Sequence, residues 1–422
     1  MPAIAVTAFA AMVVVYVSVS GLLDRHRFSA PMFFALAGAA VGLLTRLATD
    51  QTQLRTLTEA TLAMILFHDA AMIKPRQLRR DAGLSGRLLL LGLPLTIVAG
   101  LAAAWLLLPT AGIWLALFLA SALAPTDAGL GAATVLNPVV PERVRRVLNV
   151  ESGLNDGLST PVVLLAISAL AATGGTGGTG GSDRHQVRAA LEEIAIGVGI
   201  GVVAGAVAGF LLRRAAARGL ATRSLVPLAT VVVPLLAYYG AAAVHGNGFV
   251  AAFVSGTAFA AAHLPRLGDQ DDERHDAATE LTESISTLLG YAVWTVFGML
   301  AVPHVRDHIT WQGVVFAAMS LTVLRMGPVA LVLLGTGLRG RSVAFIGWFG
   351  PRGLASVVFA LIALESLKQT AQVSAALAAV ELTVLLSVLL HGASAGPWAR
   401  AYGDWVRRVR PPVELELTEQ AR

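Results

Sequence analysis

Two short clusters, Pro125-Thr126-Asp127 and Glu151-Ser152-Gly153-Leu154-Asn155-Asp156-Gly157, set carboxylates inside stretches otherwise apolar enough to cross a membrane. Charge at membrane depth is expensive and is kept mainly where it has a function. Carboxylates and hydroxyls gathered at one depth can hold a hard monovalent cation, and a carboxylate among them can trade that cation for a proton. Such an acid must titrate near ambient pH. Burial and a neighbouring arginine pull a carboxyl pKa in opposite directions, and their balance can place it there.

Within the second cluster, Glu151 and Asn155 stand at i and i+4, as do Ser152 and Asp156. On a helix each pair shares a face, so two adjacent polar stripes are expected. Asp156 reads as the acid that takes proton or cation; the alternative is a static, hydrogen-bonded acid. Pro125 interrupts the backbone hydrogen bonding around it. Gly350-Pro351-Arg352-Gly353 does the same in a later apolar stretch. Freed carbonyls at such breaks can coordinate a cation, with the Thr126 hydroxyl beside them. A plain proline kink is the structural alternative, since membrane helices tolerate proline.

Arg325 and Arg352 also fall within apolar stretches. Arginine keeps its proton, so neither carries the exchanged one. A Glu151–Arg325 ion pair is expected to brace the broken helices. Asp69, directly after His68, sits near the end of the third apolar stretch. It lines a cation funnel or faces a loop, and both readings stay open.

The elements that must position these residues are membrane helices. Of 422 residues, 56% are hydrophobic and only 14% charged, with mean hydropathy +0.71. A soluble domain carries about 25% charged residues, so the expected class is an all-α polytopic membrane protein. There is no cysteine, which excludes disulfides, thiol chemistry and cysteine-held metal. The pI near 10.0 does not point to nucleic acid, because the basic residues fall where loop anchors set orientation in a bilayer. His245, His263, His304, His308 and His391 lack ligand-like spacing. No zinc-protease, Walker or nucleophile-elbow signature occurs either. An enzyme is therefore not expected.

Apolar stretches of roughly 17–25 residues, enough to cross ~30 Å of hydrocarbon, number about thirteen. They run near 3–23, 30–48, 55–73, 88–108, 112–136, 149–172, 189–212, 224–243, 247–262, 283–302, 311–335, 343–366 and 377–397. Alternate loops hold most of the 31 Lys and Arg residues, among them Lys74, Arg76, Arg143, Arg145, Arg146, Arg213, Arg214, Arg339 and Arg341. The positive-inside bias then puts the N-terminus outside and the C-terminus in the cytoplasm. The first stretch lacks a positive n-region and a small-residue cleavage site, so it is expected to stay in place. Residues 173–185 read as a flexible external linker, 264–282 as an acid-rich cytoplasmic loop, and 401–422 as a short cytoplasmic tail.

The seventh stretch separates six spans from six. An odd span between equal halves inverts the second, the pattern of inverted-repeat transporters. The fifth and twelfth stretches, each carrying a break, then become symmetry partners. At 1.5 Å rise per residue, Asp127, Asp156, Arg325 and Arg352 all come to ~11–15 Å from the cytoplasmic ends of their spans. Four isolated charges thus share one layer. Gly197, Gly201, Gly205 and Gly209 repeat every four residues in the seventh stretch, a face for close helix contact.

At these residues the chain resembles the cation:proton antiporter-1 family, sodium/proton exchangers of the NhaP type. The carrying motifs are Ala124-Pro125-Thr126-Asp127, Glu151-Ser152-Gly153-Leu154-Asn155-Asp156-Gly157, Leu324-Arg325-Met326-Gly327-Pro328 and Gly350-Pro351-Arg352-Gly353. The resemblance implies an NhaA-like antiporter fold of inverted six-helix repeats with two broken, crossing helices. It further implies a single transmembrane domain over 1–400. A core bundle would come from about 88–172 and 311–397, a dimer or scaffold bundle from about 1–74 and 224–302, and a linker helix from 189–212. A homodimer in the inner membrane with alternating access is implied as well. Asp156 becomes the main acid for cation and proton, Thr126, Asp127, Ser152 and Asn155 its coordination partners, and Glu151–Arg325 the structural pair. Arg352 and Asp69 support them. No resident cofactor is implied, only the transported Na+, Li+ or K+ and H+. The related electrogenic branch has Asp where this chain has Asn155, so electroneutral one-for-one exchange is expected. A potassium/proton antiporter of the same fold and a cation channel are the competing readings.

Overall fold

The computed structural model describes residues 2–26, 28–44, 51–72, 81–127, 129–130, 137–172, 183–263 and 269–419. All regular structure among the described residues is helical. The helices are α1 Pro2–Arg25, α2 Ala30–Leu44, α3 Gln51–Met72, α4 Ala82–Leu107, α5 Gly112–Ala122, α6 Glu142–Ala172, α7 Asp183–Ala217, α8 Val226–Ala243, α9 Gly248–His263 and α10 Asp269–His308. They continue with α11 Trp311–Val332, α12 Gly340–Trp348, α13 Leu354–Ser366, α14 Ala371–Val409 and α15 Pro412–Glu419.

Among the described residues, eight helices are by length and composition apolar enough to cross a membrane, and four more apolar helices are shorter. Counting by helix length and composition therefore gives fewer crossings than counting by hydropathy. α2 and α9 are short, at 15 and 16 residues, α3 is long enough at 22 residues but too polar to be counted, and two further differences come from breaks. The apolar stretch expected at 343–366 is two helices, α12 and α13, parted by a non-helical segment at Phe349–Gly353. The stretch expected at 112–136 is helical only to Ala122 and non-helical at 125–127; part of its remainder lies outside the described residues. Within α11 the helix is interrupted at Thr322.

Three polar segments depart from expectation in the other direction. α6 begins at Glu142 rather than 149, because Arg143 and Arg146 are not loose loop anchors. Both hold the buried carboxylate of Asp81, at 3.1 and 2.9 Å. Most of the acid-rich segment expected as a loop at 264–282 is the start of α10. The tail expected at 401–422 continues α14 to Val409 and then forms α15. There Glu414 Oε1 accepts hydrogen bonds from Arg339 N (3.0 Å) and Ser342 Oγ (2.6 Å), and Val413 O accepts from Arg143 Nη1 (2.5 Å). The glycine linker expected at 173–185 lies outside the described residues up to 182, as do Lys74 and Arg76.

Packing divides around the two breaks. α2 lies on α10, while α9 lies on α7 and α3; α4 packs on α5, α5 on α6, and α11 on α14. The α7–α9 contact uses the predicted glycine face. A Cβ at Gly197 or Gly201 would stand 2.5 Å from the carbonyl oxygen of Asn247 or Ala251. Backbones that close leave no room for any side chain, so small residues decide this contact.

Candidate functional site: two crossing breaks and the cavity beside them

α5 stops at Ala122 because Pro125 supplies no amide hydrogen and disturbs the preceding turn. The carbonyls it releases must find partners, since orphaned backbone groups in an apolar setting are costly. They find them on the other broken segment. Ser356 Oγ donates to Ala122 O (2.6 Å). Arg352 Nη1 donates to Ala124 O (2.9 Å) and Pro125 O (3.2 Å), and its Nη2 to Ser320 O (3.1 Å). The carbonyls expected to face a cation are thus bound to the Arg352 guanidinium, which is 1% exposed.

The return contacts run the other way. Asp127 N donates to Pro351 O at 2.9 Å. Leu354 N, at the first turn of α13, donates to Asp127 Oδ2 at 2.9 Å, while Asp127 Oδ1 accepts from Gly129 N at 2.6 Å. Arg352 N donates to Ser387 Oγ at 2.7 Å. Asp127 therefore caps a helix whose N-terminus carries partial positive charge. Its partner position must be glycine, because a Cβ on Gly353 would collide with the Asp127 carboxylate. Likewise a Cβ on Gly350 would stand 2.5 Å from Arg325 Nε and 2.8 Å from Thr126 Cγ2. The two glycines of the Gly-Pro-Arg-Gly motif thus give room to the residues of the other cluster.

α6 presents its two stripes to different places. Glu151 accepts both Arg325 nitrogens, Nη1 at 2.6 Å and Nη2 at 2.8 Å, and both side chains are 3% exposed. Asn155 Nδ2 donates to Thr126 Oγ1 at 2.7 Å. Thr126 and Ser152 share a hydroxyl–hydroxyl hydrogen bond of 3.1 Å. Ser152 and Asp156, on the second stripe, line a cavity of about 590 Å³ together with Thr126 and Asp127. Glu151, Asn155, Arg325 and Arg352 do not line it. Among the described residues, no donor reaches the Asp156 carboxylate, although Asp156 is 7% exposed and its backbone carbonyl accepts from Ser159 and Thr160.

The opposite wall comes from α3 and α10 and carries Asp69, His68 and Glu283. Asp69 is within electrostatic reach of both Asp127 and Asp156. A negatively lined cavity that ends on an unpartnered carboxylate and two hydroxyls offers a hard cation oxygen ligands and offers a proton a base. Several supports of the site carry little or no signal in the sequence. Ser356 and Ser387 look like ordinary small residues of apolar helices, and no spacing marks them. Glu381 does carry a signal, being a lone acid inside an apolar stretch. It is buried and bonds His304 Nδ1 at 2.7 Å, joining α14 to α10.

The fold has solved counterparts. The sodium proton antiporter MjNhaP1 from Methanocaldococcus jannaschii at pH 8 superposes with a TM-score of 0.75 at 18% identity, covering 94% of this chain and 98% of that one. An electron-microscopy structure of MjNhaP1 gives 0.72 at 17% identity, covering 94% and 97%. In sequence, the K(+)/H(+) antiporter NhaP of Alkalimonas amylolytica is 26% identical over 372 residues, 86% of this chain. The chain spans 61% of that relative's length. Residues 9–401 match the family model described as sodium/hydrogen exchanger, transmembrane. With the match running across both polar clusters and both breaks, the chain belongs to the sodium/hydrogen exchanger family.

Proposed function

We propose that this protein is a secondary antiporter that exchanges a monovalent cation for a proton, with both competing for Asp156. The observation that carries the reading is the Asp156 carboxylate, buried at the end of a negatively lined cavity with no hydrogen-bond donor among the described residues. Thr126 and Ser152 complete the oxygen ligands, Asp127 assists while capping α13, and Asn155 holds Thr126 from behind. Glu151 and Arg325 neutralise one another and brace the crossing, and Arg352 ties its carbonyls. With one exchangeable carboxyl, the exchange is one for one and electroneutral. Sodium is the first candidate cation, supported by the sodium proton antiporter of like fold; potassium is the second, named for the NhaP relative. Alternating access in a homodimer of the inner membrane, N-terminus outside and C-terminus cytoplasmic, completes the proposal, with pH and sodium homeostasis as the role. Supporting it are the family match and the apolar helices.

The test is flux in proteoliposomes. A sodium or potassium gradient should drive proton movement that persists when the membrane voltage is clamped to zero. Passive cation current would indicate a channel instead. Competition for one carboxylate also sets a sign: the KM for the cation should rise as pH falls.

A further inference from the structure

We infer that His304 of α10 and Glu381 of α14 form a latch that holds the far end of the cavity shut, and that this contact breaks and re-forms in each transport cycle. The inference rests on the antiport reading, since an exchanger must open its site to the two sides in turn.

The pair joins two groups of helices. α14 packs on α11, α13 and α5, the helices at the crossing, whereas α10 packs on α2, α3 and α8. The cavity lies between the groups: Pro31, Asp69 and Trp294 line one side, and Asp127, Asp156 and Leu354 the other. Trp294 is the last residue of α10 to line it, and His304 stands ten residues further on, ~15 Å along the helix. There the groups are pressed together. Phe297 and Ala301 share the His304 face of α10, and Leu377 and Val384 the Glu381 face of α14. All four are 1% exposed or less and belong to one apolar cluster. Within this dry seam His304 Nδ1 stands 2.7 Å from Glu381 Oε2, with side chains 15% and 3% exposed. His304 Nε2 is buried and finds no partner among the described residues. A buried polar pair adds little net stability, because lost hydration offsets its attraction, and a half-satisfied one adds less. A permanent joint needs no acid here, since apolar side chains would pack the seam at least as well. Water entering an opened seam would hydrate the carboxylate and both ring nitrogens. The contact therefore holds when shut and parts at small cost, as an interface with two discrete arrangements requires.

The latch is tested by thiol labelling and by cross-linking in the full chain, which has no cysteine of its own. Leu377→Cys places a reporter in the seam, one turn from Glu381 on the same face. In detergent a polar maleimide should label it slowly, and about tenfold faster when Glu381→Gln or His304→Asn is added. The two are read side by side, with Tm to show which are folded. An unchanged labelling rate in a folded variant overturns the latch. In the second arm, His304→Cys with Glu381→Cys is closed by a bifunctional methanethiosulfonate. Closure should abolish cation-driven proton flux in proteoliposomes, and reduction should restore it. Flux that survives closure would make the contact a fixed hinge and overturn the proposal. Labelling does not depend on transport. An inactive wild type would therefore fail the antiport reading, while the labelling rates still decide whether the seam opens when the pair is weakened.

Discussion

Asp127 Oδ2 accepts the backbone N–H of Leu354 at 2.9 Å, so a carboxylate from one broken segment caps the helix that follows the other. The two breaks are thereby a single structural unit. Each supplies what the other lacks: Arg352 fills the carbonyls freed by Pro125, and Asp127 fills the amide freed at the start of α13. The proposed cation site is built on this unit.

Gly353→Ala should disrupt it. The new methyl collides with Asp127 and displaces its carboxylate from Leu354 N. Loss of a charged cap costs about 1 kcal/mol, with overpacking adding ~1–3 kcal/mol. Thermal unfolding in detergent should report a lower Tm, and flux should fall with it. A variant with wild-type Tm and flux would mean that this close approach has no consequence.

Asp156→Asn should reduce cation-driven proton flux to the level of protein-free vesicles while leaving Tm unchanged. The carboxylate makes no hydrogen bond with the described residues, so nothing structural is lost. Retained exchange would remove Asp156 from the centre of the mechanism.

Breaking the Glu151–Arg325 pair is a stability experiment. Glu151→Gln leaves a guanidinium buried at 3% exposure, and stranding one partner of a buried pair costs ~3–5 kcal/mol. Replacing both, Glu151→Leu with Arg325→Met, should recover much of that loss because neither charge is then stranded. A double-mutant cycle on Tm and denaturant midpoint measures the coupling.

Asn155→Asp addresses stoichiometry. The amide now donates to Thr126 Oγ1 at 2.7 Å. An aspartate there must accept from Thr126 instead, and it adds a second titratable carboxyl one residue from Asp156. Exchange should become voltage-sensitive, read as flux that responds to an imposed membrane potential. Voltage-independent flux in this variant would detach stoichiometry from this position.

The two polar stripes of α6, the breaks at Pro125 and Pro351, and the helical membrane class follow from residue type and spacing. Periodicity places Ser152 with Asp156 and Glu151 with Asn155 whatever surrounds them, and proline interrupts a helix wherever it stands. The glycine face of α7 is legible for the same reason. What no local pattern could decide is which stripe meets the cavity, because that depends on the rotation of α6 against α3 and α10. Nor could spacing show that Arg352 occupies the freed carbonyls of Ala124 and Pro125, since the partners lie more than two hundred residues apart. The ordered end of the chain was hidden likewise: Glu414 looks like a tail acid until Ser342 and Arg339 are brought to it. Sequence determines where charge and chain breaks occur; long-range packing determines which of those charges are satisfied and which, like Asp156, find no donor among the described residues.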